Sequence, residues 1–199
     1  MKYVSTDLET TSLSPDTGQI LEIGAVIDDL MNPKPIDELP VFHCYIRHRE
    51  IHGDPCALAM NGKIIEKIAK QKGDILGRGG IFTGLFMPPD SVVDAFFDFL
   101  RFHCILGYDS VNGTTGKVNF AGKNFGAFDL RFLRRLNGFD EKIKYAHRCI
   151  DPAMLYLEYD DIGLPDMKTC MERAKIKGEV AHTAVEDAKI VCQLLRAKL

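Results

Sequence analysis

The chain has 199 residues, of which 46% are hydrophobic and 27% charged, and its formal net charge is −3. This composition is ordinary for a globular protein, and the length fits a single domain over residues 1–199. No run of about eighteen apolar residues is present, so we expect neither a membrane span nor a membrane partner. Six scattered cysteines without a C-x-x-C pair argue against a zinc site and a disulfide framework. With no signal-peptide pattern, they indicate free thiols in the cytoplasm.

Residues 4–28 predict two consecutive strands that carry a pair of acids. Asp7 and Glu9 alternate with apolar neighbours, so they lie side by side on one face where the first strand ends. Ile20–Ile27 is almost entirely apolar and predicts a buried second strand. A buried carboxylate costs several kcal/mol unless it is compensated, so these acids need a cationic partner. For Asp-x-Glu alone, an ion pair with Arg or Lys is the more common solution.

The next hundred residues alternate between regular and irregular stretches. The pattern predicts a strand at Val41–His48, followed by a helix at Ala57–Lys72 that begins after Asp54-Pro55. An irregular glycine-rich stretch follows at Gly73–Asp90, and a second helix runs from a Ser91 capping box to about Ile105. A turn-rich stretch at Gly107–Lys117 then leads to a short strand at Val118–Gly122. Gly77-Arg78-Gly79-Gly80 in the first irregular stretch is not a phosphate-binding loop, because it has no strand-to-helix context and no G-K-[ST] ending.

Two later helices each carry an acid beside an apolar face. Phe125, Phe128, Phe132 and Leu136 share one helical face that Gly138 ends, and Asp129 lies next to it. The last helix buries Ala184, Ala188, Val191 and Leu195, with Asp187 on the margin of that face and His182 five residues before it. A strand at Ala146–Ile150 and two short helices lie between them. This order of elements predicts a mixed α/β sheet covered by helices.

The four acids together predict a metal site. If Asp7, Glu9, Asp129 and Asp187 met within about 5 Å, each like-charge pair would cost roughly 3 kcal/mol at an effective dielectric constant of 20. The basic residues map mostly to exposed faces, whereas Mg²⁺ prefers carboxylate oxygens and keeps positions for water and phosphate. Two such ions can hold an attacking water and a leaving oxygen in line at one phosphorus. His182 could accept the proton of that water near neutral pH.

Three segments also carry a family resemblance. Residues 7–11 (DLETT), 122–129 (GKNFGAFD) and 182–187 (HTAVED) resemble, in order and spacing, the three motifs of the DEDDh family of 3′-to-5′ exonucleases, which includes proofreading exonucleases, ribonuclease T and oligoribonuclease. The resemblance implies a ribonuclease H-like fold with a five-stranded mixed sheet flanked by helices. It also implies that Asp7, Glu9, Asp129 and Asp187 hold two Mg²⁺ or Mn²⁺ ions, that His182 is the general base, and that nucleoside 5′-monophosphates are released from a 3′ end.

The resemblance extends to positions that would contact the substrate. Thr10, Thr11 and Leu13 match a loop that contacts the terminal sugar and base, although Ser12 stands where the family often has glycine. Met60 and Asn61 fall where relatives contact the terminal nucleotides, and a helix end with an Asn-Gly stop explains them equally well. Asn124 would support the site, or would form a turn after the strand.

The sequence therefore favours a metal-dependent exonuclease that acts on single-stranded or frayed DNA 3′ ends, with a polymerase or replication protein as a possible partner. An exoribonuclease or oligoribonuclease is the nearest competing hypothesis, and activity on matched DNA and RNA oligomers separates the two. Two hypotheses from different classes also stand. One is a non-catalytic module that binds nucleic acid or docks on a polymerase, and the second is a structural domain with buried ion pairs.

Overall fold

A five-stranded mixed sheet forms the centre of the chain, whose computed structural model describes residues 1–77, 79–109, 113–178 and 183–199. The strands are β1 (Lys2–Thr10), β2 (Ile20–Asp29), β3 (Val41–Ile46), β4 (Leu85–Met87), β5 (Gly107–Asp109), β6 (Gly113–Thr115) and β7 (Phe120–Ala121). The central sheet has the order β4-β3-β2-β1-β7, and β5 and β6 form a separate antiparallel pair. Strands β1, β2 and β3 form an antiparallel meander, with β7 parallel to β1 and β4 parallel to β3. The predicted five-stranded mixed sheet is confirmed.

Helices cover both faces of this sheet. They are α1 (Pro55–Met60), α2 (Gly62–Lys70), α3 (Pro89–Phe102), α4 (Asp129–Leu133), α5 (Phe139–Lys142), α6 (Met167–Ala174) and α7 (Ala184–Lys198), with 3-10 turns at Ile36–Glu38 and Pro152–Leu155. None of the helices in the described ranges is both long and apolar enough to cross a bilayer.

The two faces of the sheet have separate cores because strand side chains alternate. On one face, Tyr3 of β1 and Val26 of β2 pack against Val191 of α7. On the other face, Phe42 of β3 packs against Phe99 of α3, with ring centroids 5.6 Å apart. The apolar stripe predicted for the last helix is buried as expected. The sheet is therefore held between α3 and α7.

Two strand predictions need correction. The stretch Ala146–Ile150 is not a strand, although Tyr145 and Ile150 form isolated parallel bridges with Val118 and Ala121. The fifth strand of the sheet is instead β4, which lies inside the stretch predicted to be irregular. Its three residues precede Pro88 and are too few to show an alternating pattern, so only their pairing with β3 reveals them.

The helix boundaries also differ from the predictions. The helix predicted around Phe125–Leu136 is reduced to α4, because residues 123–128 form turns and Asn124 has a left-handed φ of +58°. Gly138, at φ +80°, precedes α5 rather than ending α4. Helix α3 begins at Pro89 and not after a Ser91 cap, since proline is well suited to the first helical position. The helix predicted at Ala57–Lys72 is broken at Asn61 into α1 and α2.

Candidate active site

The carboxylates of Asp7, Glu9 and Asp187 meet at the end of β1. One oxygen from each lies within 4.8 Å of the others. Asp7 and Glu9 share the face of β1 that α7 covers, and Asp187 lies in the first turn of α7, where its N–H donates to the carbonyl of Thr183 at 3.0 Å. Packing of α7 across the first hairpin thus brings together residues more than 170 positions apart in sequence.

Close packing against a glycine places the first turn of α7 at this position. Gly24 lies opposite Asp7 in the pairing of β1 with β2. A Cβ on Gly24 would lie only 2.2 Å from the carbonyl carbon of Ala184, the first residue of α7. The absence of a side chain therefore lets the helix begin directly over β2, beside Asp7.

Asp129 reaches the same strand from the other edge. Strand β7 pairs with β1 only at Val4 and Ser5, so the N–H of Leu8 points beyond the end of β7. Oδ1 of Asp129 accepts a hydrogen bond from that N–H at 3.1 Å. Asp129 is 2% exposed and lies outside the 4.8 Å group, but it is bonded to the residue between Asp7 and Glu9. Its position at the start of α4 thus follows from an unfilled sheet edge.

The environment of these acids disfavours their charged forms. Burial, followed by the charges of Asp129, Asp187, Glu9 and Glu22, raises the pKa of Asp7 well above its usual value. Burial raises the pKa of Asp129 to about 8, and burial with the charge of Glu22 raises the pKa of Glu9 to about 7. Without a cation, the cluster therefore keeps protons that exposed carboxyl groups would have released.

A divalent cation fits this set of donors. Among the described residues, no salt bridge joins a Lys or Arg to Asp7, Glu9 or Asp129, which argues against the competing hypothesis of buried ion pairs at these three acids. Several carboxylate oxygens close together, with raised pKa values at Asp7, Glu9 and Asp129, are what a hard cation such as Mg²⁺ would stabilise. The geometry of the described residues thus agrees with a metal site.

Glu22 and His43 lie next to the cluster and were missed in the sequence. Glu22 is opposite Glu9 in the β1–β2 pairing and is 2% exposed. Nε2 of His43, on β3, lies 2.6 Å from Oε1 of Glu22. The one available signal was a single Glu inside the otherwise apolar second strand.

The predicted contact loop after β1 is tightly structured. Thr10 and Thr11 are buried, the Thr10 hydroxyl donates to the Ser12 carbonyl at 2.8 Å, and the Thr11 hydroxyl accepts from the Gln19 N–H at 2.8 Å. Asn61 is also buried, and its amide donates to the Thr10 carbonyl at 3.0 Å. A hydrogen bond from Asn61 also lowers the pKa of Glu9, against the larger effect of burial. These three side chains support the end of β1 and are largely withdrawn from the surface.

Further predicted contact residues lie on the surface. Leu13 is 82% exposed and Met60 is 77% exposed, so both present apolar side chains to solvent. Asn124 is exposed in a left-handed turn, and its N–H donates to Asp151 at 2.9 Å, which agrees with a turn-forming role. His182, the predicted general base, lies outside the described residues and stays a prediction.

Comparison with solved structures relates this fold to exonucleases. Exonuclease I from Methylocaldum szegediense superposes with a TM-score of 0.61 at 16% identity, over 98% of this chain and 40% of that chain. E. coli exonuclease I in complex with a dT13 oligonucleotide superposes with a TM-score of 0.61 at 16% identity, over 99% of this chain and 41% of that chain. The nuclease domain of 3′hExo, a DEDDh family member bound to rAMP, superposes with a TM-score of 0.62 at 12% identity, over 98% of this chain and 90% of that chain.

These likenesses confirm the predicted resemblance at the level of the fold, which is ribonuclease H-like. The chain spans about two fifths of the length of the exonuclease I chains. In sequence, neither a protein-family model nor a curated protein matches it.

Proposed function

We propose that this chain is a metal-dependent 3′-to-5′ exonuclease of the DEDDh type. The observation that carries the proposal is the meeting of the Asp7, Glu9 and Asp187 carboxylates within 4.8 Å at the end of β1. Asp129, bonded to the N–H of Leu8, completes the set of four acids that the sequence motifs single out. The exonuclease folds that the chain shares support the same chemistry.

The four acids would hold two Mg²⁺ or Mn²⁺ ions. Bound ions would neutralise these carboxylates, polarise the terminal phosphodiester and favour ionisation of an attacking water. The chain's own residues then have separate roles. Glu9 and Asp129 would give up their protons to become ligands, because their raised pKa values reflect burial that a cation would offset. His182 would accept the proton of the attacking water, and a nucleoside 5′-monophosphate would leave.

The surface around the cluster supports a single-stranded substrate. Leu13 follows the end of β1, and Met60 precedes Asn61, whose amide contacts the same end of β1. Exposed apolar side chains at both places would contact the faces of unpaired terminal bases, which a duplex buries. Single-stranded or frayed DNA is the proposed substrate, and one similar structure contains a dT13 oligonucleotide.

RNA is the second candidate substrate. The nuclease domain of 3′hExo was solved with rAMP, and this chain matches 90% of that domain's length. The Thr10 hydroxyl already donates to the Ser12 carbonyl and the Thr11 hydroxyl already accepts from the Gln19 N–H, so each has only part of its hydrogen-bonding capacity left for a 2′-hydroxyl. Relative rates on DNA and RNA of one sequence decide between the two substrates.

The test uses 5′-end-labelled single-stranded and duplex oligomers of both kinds, with Mg²⁺ or EDTA. We expect a ladder of products shortened from the 3′ end, release of nucleoside 5′-monophosphates, and no reaction in EDTA. Asp187→Asn should abolish the reaction, whereas Asp94→Asn, which removes a 63% exposed acid, should leave it unchanged. Oligomer binding without monophosphate release would instead support a non-catalytic binding module, and an active Asp187→Asn protein would refute the proposed site.

A further inference from the structure

Glu22 is a buried carboxylate for which the proposed nuclease chemistry has no role. It is 2% exposed and points to the same side of the sheet as Glu9, its partner across the hairpin. Its two oxygens are already engaged. Oε1 lies 2.6 Å from Nε2 of His43, and Oε2 accepts a long hydrogen bond of 3.4 Å from the N–H of Ala184.

The hydrogen bond from the Ala184 N–H to Glu22 lies at the start of α7, where backbone N–H groups need acceptors from outside the helix. The first N–H groups of a helix have no partner within the helix, and the Thr183 side chain makes no capping hydrogen bond. Glu22 supplies an acceptor to the Ala184 N–H, and its charge lies at the positive end of the helix dipole. Two residues further along β2, Gly24 packs against the backbone of Ala184, so β2 contacts the start of the helix at two adjacent positions on one face.

The pairing of the hairpin links these contacts to the acid cluster. Glu22 is opposite Glu9, and Gly24 is opposite Asp7. Asp187 follows Ala184 by three residues, so one turn of helix connects the Glu22 contact to the third carboxylate of the cluster. A displacement of the start of α7 therefore moves Asp187 relative to both acids of β1.

We propose that Glu22 is a positioning residue, which holds the first turn of α7 so that Asp187 meets Asp7 and Glu9 in a geometry that binds metal. His43 orients the Glu22 carboxylate, and the edge of its ring packs against Tyr45 with centroids 4.7 Å apart. This inference rests on the proposed metal-dependent function. It predicts that the hydrogen bonds of residue 22, rather than its charge, determine metal affinity.

A matched pair of uncharged substitutions separates these two contributions. Glu22→Gln and Glu22→Met both remove the charge and keep a side chain of similar length, but only glutamine can accept from Ala184 and bond to His43. Mn²⁺ binding is measured by the electron paramagnetic resonance signal of free Mn²⁺, without oligonucleotide. We expect Glu22→Met to weaken Mn²⁺ binding by about 10- to 100-fold, the range typical of groups that orient metal ligands, and Glu22→Gln to stay within about threefold.

Thermal melts in EDTA exclude general destabilisation as the cause. Glu22→Met relieves the repulsion with Asp7 and Glu9, but it leaves the Ala184 N–H and His43 without their partner. Both Glu22 variants should still melt in EDTA well above the temperature of the Mn²⁺ measurement. Gly24→Ala provides a second route to the same displacement and should also weaken Mn²⁺ binding. Gly163→Ala is its control, because a Cβ on Gly163 has no neighbour within 4 Å.

The outcomes separate this inference from the proposed function. If Glu22→Gln weakens Mn²⁺ binding as much as Glu22→Met, the charge is responsible and the positioning role is refuted. If the wild type binds Mn²⁺ and releases monophosphates while Glu22→Met or Gly24→Ala binds Mn²⁺ equally well, the positioning role alone is refuted. A wild-type protein that binds no Mn²⁺ would refute the nuclease proposal itself.

Discussion

The metal-free protein should lose stability as the pH rises from about 6.5 to 8. In the folded chain the pKa of Glu9 is raised from 4.5 to about 7, and that of Asp129 from 3.8 to about 8. In this interval the folded protein keeps protons that the unfolded chain has released. The stabilisation that comes from a raised carboxyl pKa is fully present below the pKa of that group in the unfolded chain. It is lost as the pH rises through the pKa of the group in the folded protein. His48 has its pKa lowered by burial and acts mainly below this interval.

The expected size follows from the number of protons involved. Each proton held only by the folded state changes the free energy of unfolding by roughly 1.4 kcal/mol per pH unit. For a protein of this size, 1 kcal/mol corresponds to about 2–4 °C in melting temperature. One proton held only by the folded state therefore predicts a fall in melting temperature of about 3–6 °C per pH unit. Asp129 holds such a proton up to about pH 8, and Glu9 adds a second one below about pH 7.

Thermal melts in EDTA and in millimolar Mg²⁺ measure this slope. Mg²⁺ should flatten it, because the ion replaces the protons, and should raise the melting temperature most at pH 8. The double variant Glu9→Gln with Asp129→Asn should have a smaller slope in EDTA, with the contribution of Asp7 remaining, whereas the exposed-site control Asp94→Asn should keep the wild-type slope. A melting temperature that is constant or rises between pH 6.5 and 8 in EDTA, or that ignores Mg²⁺, would refute the reasoning.

Three further predictions concern single residues. His182→Ala should lower turnover by about 10²–10⁴-fold with Mn²⁺ affinity retained, and a large loss of affinity would contradict its role as general base. Asn61→Leu removes the hydrogen bond that lowers the pKa of Glu9, so the acidic limb of the pH–rate profile should move to higher pH, and an unmoved limb would argue against this coupling. Gly53→Ala places a Cβ 2.2 Å from the Thr11 carbonyl oxygen and should raise KM for the oligomer more than Gly163→Ala does; equal KM values for the two variants would exclude this effect.

The carboxylate cluster was predictable because each acid breaks a local pattern. Alternation along one strand places Asp7 and Glu9 on the same side, and helical periodicity places Asp187 at the edge of a buried stripe. Both patterns depend on neighbouring residues alone. The meeting of these acids follows from the family resemblance and is seen in the fold, where α7 crosses β1 and β2.

Features that depend on distant pairing were not predictable from local patterns. Strand β4 has only three residues, and it exists because the edge of β3 offers hydrogen bonds. Asp129 lies at the start of a short helix because β7 ends early and leaves the Leu8 N–H available. The Phe spacing around it resembles a longer helix, since successive turns bury aromatic side chains at similar intervals.

The role of Glu22 was missed for a related reason. In sequence it is one acid among apolar neighbours, and nothing local indicates which residue of β1 lies opposite. The register of the hairpin places it against Glu9, and the start of α7 then brings the Ala184 N–H to it. A charged residue in an apolar strand predicts a partner, but the fold decides which one.

The most direct test of the metal site is the anomalous diffraction of a crystal grown with Mn²⁺. We predict manganese peaks within about 2.5 Å of carboxylate oxygens from Asp7, Glu9, Asp129 and Asp187. Manganese bound only elsewhere, with these carboxylates close together and no peak among them, would contradict the metal-dependent nuclease account.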